Sequence, residues 1–254
     1  MKTYISIASI FDKQSILLKA LKSIENQTVK PDKCYINLSE EPNLLDRGFK
    51  DRIINKDLED YISSNNMFEV KWVKNTGPFV KLLPVLEDKM DEDCAIITID
   101  DDSQYQPEMI ENYLKYYHKY DCVICHRSFN FKYNIIDEMR YNKRTKAPDK
   151  PCIRNFHTGK GGVLFHPKFF KKTFDHIFDD KIYKKCCPTN DDVWFNIHRI
   201  INDVKCFAPS YKTELKDNSV KEFALWVNFN SKGSTNDEQI VNTINCMRNL
   251  GYIL

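Results

Sequence analysis

The chain has 254 residues, 42% of them apolar, which is enough to bury a large α/β core and too many for a disordered chain. Thirty-eight basic residues against 36 acidic leave a net charge of +2, which argues against a general nucleic-acid binder with its basic excess. Seven glycines exclude a collagen-like design, and no internal repeat is visible.

Residues 3–10 alternate in hydropathy and predict a first strand. Residues 11–14 read as a loop, and Ser15 as the cap of a helix with Ile16, Leu17, Ala20, Leu21 and Ile24 at helical spacing. Pro31-Asp32 marks a turn before a second strand at residues 33–38. A helix is predicted at 56–63, a third strand at 68–73 and a helix at 79–90 that Pro84 must open or kink. Residues 95–99 form a β-branched fourth strand that runs straight into Asp100-Asp101-Asp102. Pro107 opens a helix reaching about Lys119, and residues 121–126 predict a fifth strand.

This strand–helix alternation implies a mainly parallel sheet with helices on both faces. Ligands of such sheets bind beyond the carboxyl ends of the strands. Residues 9–12, 39–41, 75–78 and 100–102 therefore share one crevice. Beyond Arg127 the alternation stops. Residues 129–151, with a basic run at 140–146, read as a strand pair or a mobile loop. Gly159, Gly161 and Gly162 match neither a dinucleotide fingerprint nor a phosphate loop, and predict a tight turn or a substrate-facing loop ahead of the apolar residues 163–165. Residues 169–178 look helical, Asn190-Asp191-Asp192 leads into a helix at 193–202, a short strand follows at 204–208, and a last helix spans 238–250.

Three adjacent carboxylates need water, donors or a cation to neutralise them. On an extended chain Asp100 and Asp102 point one way and Asp101 the other. Two hard oxygen ligands on one face suit Mg²⁺ or Mn²⁺. The plainer reading is an acidic turn. For Asp191 and Asp192 the choice is between a helix-start charge on the dipole and a rigidly held general base. The nine cysteines lie mostly in apolar runs and read as free thiols of a reducing, cytoplasmic protein. Cys122 and Cys125 form a CxxC without a second pair, a weak zinc signal. His166 is the histidine placed to reach a metal, and Tyr133, Tyr141, Trp226 and Phe229 are rings available to stack on a base or sugar. The start is a poor signal peptide and no run of about 20 apolar residues exists.

Taken in order, the strand ending in Asp100-Asp101-Asp102, the Thr-Gly-x-Gly-Gly-Val-Leu-Phe segment at 158–165, Asp191-Asp192-Val193-Trp194 and the late Asn-Asp-x-Gln-Ile at 236–240 resemble a glycosyltransferase of the GT-A fold, close to the family 2-like nucleotide-sugar transferases. The resemblance implies an α/β, Rossmann-like, mainly parallel sheet in a single domain, 1–254. Residues 1–127 are then the nucleotide-sugar half and 128–254 a smaller, irregular acceptor and catalytic half. It implies Mn²⁺ or Mg²⁺ on Asp102, with Asp100 at the ribose or the metal. Ser9, Phe11, Glu40, Lys81, Asp101, Gly161 and Gly162 line the nucleotide-sugar pocket. Asp192 is the catalytic base, with Asp191 its neighbour. The implied reaction is inverting transfer from a nucleotide sugar, a UDP-sugar first, to a glycan or lipid-linked saccharide. No nucleic acid and no transmembrane segment are implied, and peripheral membrane contact stays open. The chain lacks the Gln-x-x-Arg-Trp motif and C-terminal membrane helix of processive synthases. A sugar-phosphate nucleotidyltransferase of related fold would carry a Gly-rich loop after the first strand, and residues 9–14 hold no glycine. A non-catalytic glycan-binding relative would have lost an acid cluster.

Overall fold

Five consecutive residues of the first strand, 3–7, are buried on both faces, and so are residues 94–99 of the fourth, which sets these two at the centre of a sheet covered on both sides. The structure is a computed structural model that describes every residue except Lys212 and Lys232, and of Leu215 only the backbone. Its strands are Lys2–Ala8 (β1), Lys33–Leu38 (β2), Phe68–Trp72 (β3), Cys94–Asp100 (β4), Ser103–Tyr105 (β5), Val123–Phe131 (β6), Arg144–Lys146 (β7), Asn155–Phe165 (β8), Cys206–Phe207 (β9) and Glu214–Asp217 (β10). The helices are Gln14–Glu25 (α1), Lys56–Ser63 (α2), Leu83–Asp88 (α3), Met109–Tyr120 (α4), Phe174–Ile177 (α5), Asp180–Cys186 (α6), Asp191–Ile201 (α7) and Thr235–Asn249 (α8).

Eight strands form one sheet in the order β3-β2-β1-β4-β8-β6-β7, with β9 also on β6, while β5 and β10 make a separate pair. Strands β3, β2, β1 and β4 are mutually parallel, and β9 is parallel to β6. Strand β8 is antiparallel to both β4 and β6, so β6 runs in the same direction as β4 and only β7 and β8 are reversed. Ala8 sits opposite both Asn37 and Asp100, which brings the carboxyl ends of β1, β2 and β4 to one edge.

Several local expectations change. Ser15 does not cap α1; the chain enters through a 3-10 turn, Phe11–Lys13, and the cap position is Lys13. Buried Gln14 holds that entrance, donating to Phe11 O at 3.0 Å and accepting from Asn55 N at 2.7 Å. The helix expected at 79–90 is broken at Leu82 into a 3-10 turn, Gly77–Lys81, and α3, with Pro84 in the first turn where its missing N–H costs nothing. The fifth predicted strand is longer, because residues beyond His126 pair with both β7 and β8. Residues 169–178 are mostly a 3-10 turn, Pro167–Thr173, before the short α5.

The glycine segment is neither a turn nor a separate loop but a bulge inside β8. Thr158 pairs with Arg127 and Val163 with Cys125, so residues 159–162 all face His126 alone. Gly161 has φ +79°, and a Cβ there would lie 2.3 Å from His126 Cγ. Gly161→Ala is therefore expected to cost about 3 kcal/mol, combining left-handed strain with a clash against a ring. Chemical denaturation measures it; a loss below about 1 kcal/mol would mean that the bulge relaxes freely.

The expected role for His166 also changes. It accepts from Lys168 N at 3.1 Å and meets Asp93 Oδ1 at 2.9 Å, which places it beside the start of β4, at the opposite edge from the crevice. All nine cysteines are free. Cys125 Sγ lies 3.6 Å from Cys206 Sγ on the neighbouring strand rather than beside Cys122, as the alternation of a strand requires.

Candidate active site

Strand β4 stops at Asp100, whose N–H donates to the Tyr105 hydroxyl at 2.8 Å, and the chain turns through Asp101 and Asp102 into β5. The turn ends the strict alternation of side chains, so Asp101 does not face away from Asp102. Both reach the ammonium of Lys13, at 3.1 and 3.0 Å, and the other oxygen of Asp101 accepts from Ser9 Oγ at 2.7 Å. Asp100 is paired instead with Lys81. Burial opposes the charge on Lys13, but Asp101 and Asp102 outweigh it and its pKa rises. Lys81 behaves likewise: burial acts downward, while Asp100, Asp191 and Asp192 hold it protonated. Asp102 is raised by burial and then by the negative charge of Asp100.

The second acid cluster comes from the start of α7. Asn190 supplies the cap, its Oδ1 accepting from Val193 N at 3.2 Å, so neither aspartate is needed for that task. Asn196, one turn on, donates to Asp192 O at 2.7 Å and to His157 O at 2.9 Å, which pins α7 to β8. The bulge in β8 then brings Gly159 N within 2.8 Å of Asp192 Oδ1. A Cβ on Gly159 would stand 3.5 Å from both Asp192 Oδ1 and Lys81 Nζ, so the two acid clusters meet across this glycine and this lysine. Burial pushes Asp191 up to about 6 against the pull of Lys81. Burial and then Asp191 push Asp192 up to about 8. Asp191 and Asp192 are half-buried as residues.

Five carboxylates thus face two ammonium groups, with Arg127 at the rim acting on Asp192. Among the described residues no group of three or more His, Cys, Asp or Glu is arranged to hold a metal alone. A Mg²⁺ or Mn²⁺ carried on a diphosphate needs only one or two protein carboxylates. Asp100 Oδ2 and Asp102 Oδ1 have no hydrogen-bond or ion-pair partner among the described residues, and Asp102, raised by burial and then by the charge of Asp100, has a negative neighbour that a divalent cation would offset. The donor set therefore fits such an ion.

The other residues singled out from the sequence lie around this centre. Phe11 sits at the same strand edge, edge-on to Phe49 at 5.3 Å and beneath the Arg47 guanidinium at 4.1 Å. Beside it Asp46 accepts from Phe11 N, Gly48 N and Asn75 Nδ2 at 3.2, 3.0 and 3.1 Å, and burial raises its pKa. Glu40 is exposed and paired with Arg52 at 2.9 Å. The carbonyls of Gly161 and Gly162 accept from the Tyr113 hydroxyl at 3.1 and 2.9 Å. Tyr141 and Trp226 lie 6.2 Å apart, with Arg144 over Tyr141 at 4.3 Å; burial and then the charge of Asp192 push the Tyr141 hydroxyl up. Tyr133 instead lies under Arg154. Lys13 and Arg127 were not picked out as site residues from the sequence, and Gly159 was marked only as part of the glycine cluster. The usable signal for Lys13 was a basic residue just after a strand whose parallel neighbour ends in acids.

No protein-family model and no curated protein sequence matches the chain. Solved structures do. Staphylococcus aureus TarS 1–349 in complex with UDP superposes with a TM-score of 0.54 at 12% identity, covering 99% of this chain and 72% of that one. The same protein in complex with UDP-GlcNAc gives 0.53 at 12% identity, covering 98% and 73%. The 4-diphosphocytidyl-2C-methyl-D-erythritol synthase of Anaerococcus prevotii gives 0.50 at 12% identity, covering 97% and 96%. The chain has the Rossmann-like GT-A fold. Among the described residues no helix is long and apolar enough to cross a membrane.

Proposed function

We propose that the protein transfers a sugar from a nucleotide sugar, a UDP-sugar first, to the hydroxyl of a glycan or lipid-linked saccharide, with inversion and with a divalent cation. The observation that carries this reading is the meeting of the acid triad with Asp191 and Asp192 across Lys81 and Gly159. TarS, which shares the fold, has been solved with UDP and with UDP-GlcNAc, which supports a nucleotide-sugar ligand.

In this reading Ser9, Phe11 and Glu40 lie along the nucleoside side, and Asp102 and Asp100 hold Mn²⁺ or Mg²⁺ on the diphosphate. When bound, the ion would supply positive charge to the leaving diphosphate. Asp192 accepts the proton of the acceptor hydroxyl as its oxygen bonds to the anomeric carbon and the bond from that carbon to the diphosphate breaks. The nucleoside diphosphate leaves with the electron pair, so no enzyme nucleophile is needed. Gly159 N–H and Lys81 hold the Asp192 carboxylate in place, and Tyr141 with Trp226 offers the acceptor a ring surface.

Screening nucleotide sugars for Mn²⁺-dependent hydrolysis and transfer tests this. Because Asp192 works as a base only when ionised, and its pKa is pushed up to about 8, the rate is expected to climb with pH and level off above that value. A rate that is flat from about pH 6 to 9 would remove the base assignment. The nucleotidyltransferase reading has the likeness to the A. prevotii synthase in its favour. It predicts pyrophosphate release from a nucleoside triphosphate, and here the connection after β1 is filled by Lys13 and its carboxylates rather than by glycine.

A further inference from the structure

We propose that Lys13 is a resident counter-ion that keeps the acid triad closed to a free divalent cation, so that the cation enters only together with a nucleotide diphosphate. This rests on the nucleotide-sugar reading above and adds to it an order of binding.

Lys13 ends the 3-10 turn after β1 and is 8% exposed, an unusual degree of burial for a lysine. Its ammonium touches Asp101 Oδ1 at 3.1 Å and Asp102 Oδ2 at 3.0 Å. The remaining oxygen of Asp101 is taken by Ser9 Oγ. In the protein by itself both acids are thus already paired from within the chain, sharing one ammonium between them. A cation that takes Asp102 must share its carboxylate with the ammonium, and like charges so close repel strongly where water is scarce. A diphosphate brings the negative charge that lets both cations remain. Lys81 neutralises Asp100 in a similar way but also faces Asp191 and Asp192, whereas the hydrogen bonds and ion pairs of the Lys13 ammonium go to the triad alone among the described residues. Removing Lys13 therefore reads the triad by itself. Nucleotide and metal must strengthen each other's binding by the same factor, as any linked pair does, and Lys13 sets that factor.

The test is Mn²⁺ binding to the full chain, followed by water-proton relaxation and by the melting temperature. Wild type is expected to show no saturable Mn²⁺ binding alone and clear binding with UDP present. Lys13→Met is expected to bind Mn²⁺ without UDP at least about tenfold more tightly than wild type, and Mn²⁺ alone should raise its melting temperature. Lys13→Arg keeps the charge and should behave as wild type. Where Lys13→Met does not fold, Lys13→Met with Asp101→Asn removes one of the two exposed charges and serves in its place. Equal Mn²⁺ binding by wild type and Lys13→Met overturns the proposal. So does a lack of Mn²⁺ binding by every protein with UDP present; calorimetric UDP binding then reports separately whether the nucleotide reading survives.

Discussion

Asp192→Asn should lower sugar transfer about a thousandfold while leaving UDP affinity within about threefold. The amide keeps the size of the side chain and its oxygen still accepts from Gly159 N, so the bulge in β8 stays in place. What is lost is the ability to take a proton. The loss should fall on kcat rather than on KM for the nucleotide sugar, since Asp192 belongs to the α7 side of the crevice and not to the triad. The climb of the rate with pH should disappear as well, because its source, an acid raised by burial and by Asp191, is gone. Transfer within about tenfold of wild type would move the base role elsewhere, with Asp191 the next candidate. Asp191→Asn removes the negative neighbour, so in that variant Asp192 should titrate lower and the profile should shift toward acid.

Lys81→Met should have the second large effect, on stability and on pH dependence together. Its ammonium serves Asp100 directly and acts on Asp191 and Asp192. Taking away one partner of a poorly hydrated charge cluster leaves the others uncompensated, at a cost of about 3 kcal/mol. Both side chains of the Lys81–Asp100 pair are about one-fifth exposed, so water offsets part of that cost. The sign of the pH effect follows from the same contacts. Lys81 pulls Asp191 and Asp192 down, so its removal raises both, and the rate should climb at a pH more than about one unit higher than in wild type. Denaturant unfolding and a pH–rate profile measure the two effects. Lys81→Arg restores the charge and should restore the profile; a profile unmoved in Lys81→Met would show that the ammonium does not reach the acid pair.

The contrast between Lys81 and Lys13 shows what kind of feature is legible. Lys81 was picked out only through its likeness to a known motif order, and the structure places it against Asp100. Lys13 lay in four residues read as a loop, with no periodicity to mark it. Its importance comes from parallel pairing of β1 with β4, which brings residues 88 and 89 positions apart into contact. The glycines tell a similar story. Their clustering was visible, yet the one nearest Asp192 is Gly159, while Gly161 and Gly162 turn toward His126 and Tyr113. Which glycine approaches which side chain depends on where the pairing of β8 with β6 resumes, and spacing alone does not contain that.

By itself, the sequence determined the alternation of strands and helices through the first half and the location of two acid clusters at a strand end and a helix start. These are local properties: apolar runs of the right length and period, ended by residues that leave regular structure. Tertiary structure alone decided that β8 runs backwards between β4 and β6, that its bulge carries Gly159 to Asp192, and that Lys13 and Lys81 divide the triad between them. Each of these depends on register between segments far apart in the chain, and register is set by the packing of the whole sheet.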